Sequence, residues 1–160
     1  MRRMLGAVLM IWMLVPAGVN GQNTPPEQLQ NLDWIVGDWV YEGENSGTWE
    51  CEWLGEFYVV CDEEFTNEEG NSFKAVEVFG YDARQRMYTY QRFFSTGAHQ
   101  TANAFKRGDF MLFNLTGRMA GFRRFFLTLD SPTVMRFRWE TAAAGGAWEV
   151  TSEGTARKIQ

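Results

Sequence analysis

The chain has 160 residues, with 15 Lys+Arg against 20 Asp+Glu for a net charge of −5, and only one histidine and two cysteines. That acidic balance argues against a general affinity for nucleic acid or anionic lipid surfaces. So few His and Cys side chains leave too few ligands for a metal site, and none is expected.

The N-terminus, MRRMLGAVLMIWMLVPAGVNGQ, sets Arg2 and Arg3 before an apolar run from Met4 to Val15. Pro16 breaks that run ahead of Ala17, Gly18 and Gly21. A basic segment, a short apolar core and small residues at its end spell a secretory signal peptide, cut after Gly21. The apolar run, about 12 residues, is too short to span a bilayer comfortably. The expected organisation is a signal peptide over residues 1–21 and one domain over 22–160. The mature chain, about 139 residues, is enough for a single core. It is expected in the periplasm or outside the cell.

Thr24 before Pro25, Pro26 and Glu27 is a helix-start pattern. Leu29, Leu32 and Ile35 follow at helical spacing, so a short helix is expected over 26–36, with Gly37 as its C-terminal cap. After Gly37 the apolar period changes to two. Aromatic and β-branched runs predict strands at 38–43, 48–54, 57–66, 73–81, 86–95, 99–105, 110–116, 122–129, 134–141 and 147–158. The connectors, among them NSG, NEEGNS, KRGD and DSPT, carry turn chemistry, and most are too short for anything but antiparallel hairpins. A flat sheet this wide would leave two bare edges, and closure removes them. The expected fold is all-β: a ten-stranded, antiparallel, up-and-down barrel behind a short N-terminal helix.

The helix leading into Gly37-Asp38-Trp39 resembles the G-x-W entry of lipocalin-related (calycin) barrels. That resemblance implies that Trp39 closes the barrel floor and that an arginine of the last strand, here Arg157 in EGTARKI, lies across its ring. A guanidinium over an indole contributes about 0.5–2 kcal/mol. LDWIVGDWVYEG, GTWECEWLGEFYVV and VFGYDARQRMYTYQ, in that order, resemble the bacterial domain of unknown function 1579 family over nearly the whole mature chain. That family is similar to the nitrobindin group, whose ten-stranded barrels hold haem through a histidine near the chain's end. No histidine follows His99 here, so that ligand has no counterpart and no cofactor is expected.

In GTWECEWLGEFYVVCDEEFT, Trp49, Cys51 and Trp53 share one strand face. A three-residue turn at 55–57 would set Cys51 directly opposite Cys61. In an exported chain this pair reads as a disulfide on the inner face. The segment from Glu42 to Glu69 is acidic and free of basic residues, while Arg118, Arg123, Arg124, Arg136 and Arg138 gather later. VMRFRWE alternates with Met135, Phe137 and Trp139 inward. FRRFFLTL must turn one arginine inward whichever face is inner, and pairing through DSPT favours Arg124 opposite Trp139. A buried guanidinium requires a partner: Glu63, Glu77, or a ligand carboxylate or phosphate. The alternative is an arginine at the barrel rim. His99 reads as a base, a haem ligand or a polar residue near a turn. Asn114-Leu115-Thr116 is a glycosylation sequon only in a eukaryotic source.

Thirteen Phe, five Tyr and the six of seven Trp that lie in the mature chain can line a cavity, because a ten-stranded barrel is wide enough to leave one. The expected role is binding of a small hydrophobic molecule by Arg124, Trp139, Phe137, Glu63, Glu77 and His99, with Arg124 receiving any acidic head group. The rivals are a barrel enzyme of the isomerase or cyclase kind, moving protons through a cavity carboxylate, Tyr or His99, and a filled barrel serving as an interaction module.

Overall fold

Ten strands close into one antiparallel barrel in the computed structural model, which describes residues 26–116 and 121–159. The signal peptide read at 1–21, the Thr24 cap and Arg118 lie outside the described residues. The strands are β1 (Gly37–Gly43), β2 (Ser46–Leu54), β3 (Tyr58–Thr66), β4 (Ser72–Asp82), β5 (Met87–Phe94), β6 (His99–Arg107), β7 (Phe110–Thr116), β8 (Phe122–Ser131), β9 (Val134–Ala142) and β10 (Glu149–Lys158). Each pairs with its neighbours in sequence, and β1 pairs with β10 to close the ring. All ten expected strands are present. Among the described residues, no helix is long and apolar enough to cross a membrane.

The helix is shorter than its apolar spacing suggests. α1 covers Pro26–Gln30, and the chain then winds more tightly. The N–H groups of Leu32, Asp33, Ile35 and Val36 each donate to the carbonyl three residues back. The reason lies in the spacing: Leu29, Leu32 and Ile35 recur every third residue, the period of a three-residue turn. That winding puts Leu32 and Ile35, both fully buried, into one end of the barrel. Gly37 follows with φ +123°, and a Cβ there would fall 2.5 Å from Lys158 Cε. Only glycine suits this bend.

Trp39 is completely buried at this closed end, and its Nε1 donates to Ile35 O at 2.8 Å. The expected arginine does not cover it. Across the ladder Trp39 faces Lys158, while Arg157 faces Val40 and is exposed. Directly opposed residues share a face, so the cation over the indole is Lys158, whose Nζ lies 5.0 Å from the ring centroid. A one-residue offset on a strand reverses the face.

Cys51 and Cys61 are directly opposed on β2 and β3, 4.0 Å apart at Cα, and form a disulfide on the inner face. Strand alternation sends Phe79, Tyr90, Phe113 and Phe125 inward, where their rings pack edge to face or tilted at 5.1–6.4 Å between centroids.

Candidate ligand cavity at the open end

The plug formed by α1 and residues 31–36 closes one end, so every even-numbered gap between strands (β2 to β3, β4 to β5, and so on) turns at the floor. The turns after β1, β3, β5, β7 and β9 surround the other end. There the barrel opens into a cavity of about 440 Å³. Its walls carry Trp49, Phe65, Phe125, Phe137 and Trp139, and Glu44, Glu68 and Glu69 stand at the mouth. Phe125 and Trp139 are stacked, 4.4 Å between centroids and 21° between planes. Phe137 finds its room at Gly154, its partner across the β9–β10 ladder, where a Cβ would sit 2.4 Å from Phe137 Cζ.

Beneath these rings lies a charged network. Alternation along MYTYQRFF puts Tyr88, Tyr90, Arg92 and Phe94 on the inner face of β5. Arg92 Nη2 donates to Glu63 Oε2 in a buried ion pair. Its Nε stands 3.1 Å from Glu77 Oε1, an ion-pair contact that lacks hydrogen-bond alignment. Tyr41 OH donates to Glu63 Oε1 at 2.8 Å, and Tyr90 OH to Glu77 Oε1 at 3.1 Å. The rings of Phe65 and Phe94 lie 5.1 and 4.6 Å from the Arg92 guanidinium carbon.

Two carboxylates thus share one guanidinium among buried side chains. Burial, reinforced by the Glu63 charge, pushes the Glu77 carboxyl up to about 8, with Arg92 opposing. Glu77 Oε2 is buried and has no hydrogen-bond partner among the described residues. Burial and the same carboxylates hold Tyr41 and Tyr90 well above the usual phenol range, so both act as neutral donors. Arg92 loses from burial but gains more from Tyr90, Glu77 and Glu63, and stays firmly charged.

Arg123 is the second cation facing the cavity. Its guanidinium carbon lies 5.3 Å from the Trp139 ring centroid. Its Nε is buried without a hydrogen-bond partner, and no carboxylate of the described residues pairs with it. Burial, then the Arg92 charge, pushes its guanidinium below the ordinary arginine range.

The expected site residues divide cleanly. Glu63, Glu77, Phe137 and Trp139 line the cavity. Arg124 does not: it sits on the outer face, where its Nε donates to Glu140 and its guanidinium lies 3.9 Å from the Trp148 ring. An irregularity between Leu129 and Ser131 shifts the β8–β9 register by one, so Phe125 rather than Arg124 faces Trp139. A single extra residue of this kind exchanges the two faces, and Arg123 takes the inward position. His99, expected among the ligand-binding residues, does not line the cavity either. It is exposed on the outer face opposite Phe93, and Gln100 beside it lines the cavity. Arg92, missed from the sequence, had a visible signal in the strict alternation of β5. Among the described residues, no three His, Cys, Asp or Glu side chains cluster closely enough to hold a metal ion.

No family model and no curated protein matches the chain. Among solved structures, the fold is similar to that of Rv2717c from M. tuberculosis, with 12% identity, a TM-score of 0.60, and coverage of 86% of this chain and 99% of that one. Weaker overlap links it to a de novo designed fluorescence-activating β-barrel, at 13% identity and TM-score 0.46 over 79% of this chain and 94% of that one. EF1p2_mFAP2b bound to DFHBI matches at 14% identity and TM-score 0.44, with the same coverage of 79% and 94%. At such identities the likeness is one of fold.

Proposed function

We propose that this protein is an exported binding barrel that carries or senses a small hydrophobic molecule in its open cavity. The observation that supports this most strongly is the contrast within the cavity itself. Aromatic walls enclose about 440 Å³, within the range of small-molecule sites, beside a buried arginine Nε that no group of the described residues satisfies. A barrel filled by its own side chains would leave no such volume. Export rests on the signal-peptide reading of residues 1–21 and on the Cys51–Cys61 disulfide, a bond that persists in oxidising compartments. Membership of the domain of unknown function 1579 family belongs to the same reading.

Native mass spectrometry of protein isolated from its own host tests the proposal. A retained small molecule, released on denaturation, is the expected result. Protein that arrives bare and binds no member of a panel of hydrophobic molecules would remove the carrier reading.

One observation favours a second reading, a proton-transfer enzyme of the isomerase or cyclase kind. Glu77, held protonated near neutrality beside Tyr90, lines the same cavity, and perturbed carboxyls of this kind concentrate at catalytic sites. Conversion of the retained molecule by wild-type protein, lost in Glu77→Gln, would establish it.

A further inference from the structure

We propose that the cavity selects a planar aromatic monoanion, with Arg123 as the receptor for its carboxylate and the Trp139–Phe125 stack as the wall its ring lies along. This rests on the binding reading above and names the ligand class for that site.

The charges around the cavity carry the inference. Arg92 is already engaged by Glu63 and Glu77. Tyr41 and Tyr90 supply the remaining donors to the same two carboxylates. Arg123 stands outside this network. Its neighbour across the β8–β9 ladder is Thr141, which offers no charge, and its half-buried side chain lines the cavity. An arginine keeps its charge in a protein, and the buried Nε of this half-buried guanidinium has no partner among the described residues, so an anion in the cavity would find an unengaged donor. Burial and the nearby Arg92 both disfavour that charge, and a ligand anion relieves both. A guanidinium suits a carboxylate because its planar fork matches the two oxygens.

The shape of the wall selects the rest of the molecule. Phe125 and Trp139 lie nearly parallel, and Trp49 and Phe137 complete a lining of flat faces. Such faces favour offset stacking of another flat ring. The mouth selects charge number. Glu44, Glu68 and Glu69, on the β1–β2 and β3–β4 turns, flank one side of the entrance, so an incoming multiply charged anion meets more repulsion there than a monoanion. A single negative charge on an apolar body passes this acidic rim with the least penalty.

Calorimetric titration of the full mature protein with three probes of one skeleton tests this: 2-naphthoate, 2-naphthalenemethanol and 2-naphthyl phosphate. Wild-type protein should bind the carboxylate at least about tenfold more tightly than the neutral alcohol, the size of one charge-assisted hydrogen bond. The phosphate should bind more weakly than the carboxylate. Arg123→Gln should remove the preference for the carboxylate and leave alcohol affinity within about twofold. Arg123→Lys, which keeps the charge but loses the fork, should retain part of it. Equal wild-type affinity for carboxylate and alcohol would overturn the proposal while leaving the binding cavity intact. So would a preference that survives in Arg123→Gln, or tighter binding of the phosphate. Failure of all three probes would overturn both readings. The wild-type comparison stands even if a variant does not fold.

Discussion

The two ends of one barrel are built on opposite terms. At the floor, Leu32, Ile35 and Trp39 bring apolar surface into a closed space, and the Trp39 N–H finds its acceptor four residues away in the chain. At the open end the interior holds Glu63, Glu77, Arg92 and Arg123 among aromatic rings, and every polar partner comes from a different strand. The floor gains stability from burial that needs no particular pairing. The open end loses stability to desolvated charge, which Glu63, Glu77 and Arg92 offset by pairing with one another. The difference shows where the fold is secured by apolar burial and where it depends on paired charge.

Arg92→Met should be among the most damaging substitutions, about 3–5 kcal/mol by urea denaturation, because it strands two buried carboxyls. Trp39→Ala at the floor should cost a similar amount, about 3–5 kcal/mol, by truncating a buried indole. The two ends are told apart by rescue. Adding Glu63→Gln to Arg92→Met should restore part of the loss, whereas adding it to Trp39→Ala should be no better than additive. Rescue in neither background would break the contrast.

Removing the Cys51–Cys61 bridge by Cys51→Ala with Cys61→Ala should cost about 2–3 kcal/mol, because the loop it closes is short. Intact mass before and after reduction checks that the bond is present, and two free thiols in exported protein would contradict it.

The open end should also respond to pH where the floor does not. Glu77 is raised in the folded state by burial and by Glu63, against Arg92 and the Tyr90 hydrogen bond, to about 8 from an ordinary 4.5. The folded state therefore holds the proton more tightly than the unfolded chain. Its contribution is fully present below the unfolded value and is lost as pH rises towards about 8. Denaturation midpoints of the wild type should fall across that window, and Glu77→Gln should flatten the fall.

Lys158→Ala should have the smallest measurable effect at the floor, about 0.5–1 kcal/mol for a partly exposed cation over an indole. Arg157→Ala should change stability by no more than about 0.5 kcal/mol. A larger loss at Arg157 than at Lys158 would reverse the face assignment of β10.

The strand count, the antiparallel order and the disulfide were legible in the sequence because they follow from local signals. Residues two apart share a face, turn residues mark reversals, and a short turn fixes the register of Cys51 against Cys61. The same logic placed Glu63, Glu77, Phe137 and Trp139 on the inner wall. It failed where one residue of offset mattered: the irregularity near Asp130 exchanged Arg124 for Arg123, and the register of β1 on β10 exchanged Arg157 for Lys158. Choosing Arg92 as the partner of Glu63 required two registers together: Arg92 faces Glu77 across the β4–β5 ladder and reaches on to Glu63 on β3. By itself, then, the sequence determined the faces of most strands, since alternation is a property of the backbone. Only the tertiary structure decided which buried charges meet and which has no partner among the described residues, because that depends on the register of each ladder and on its irregularities.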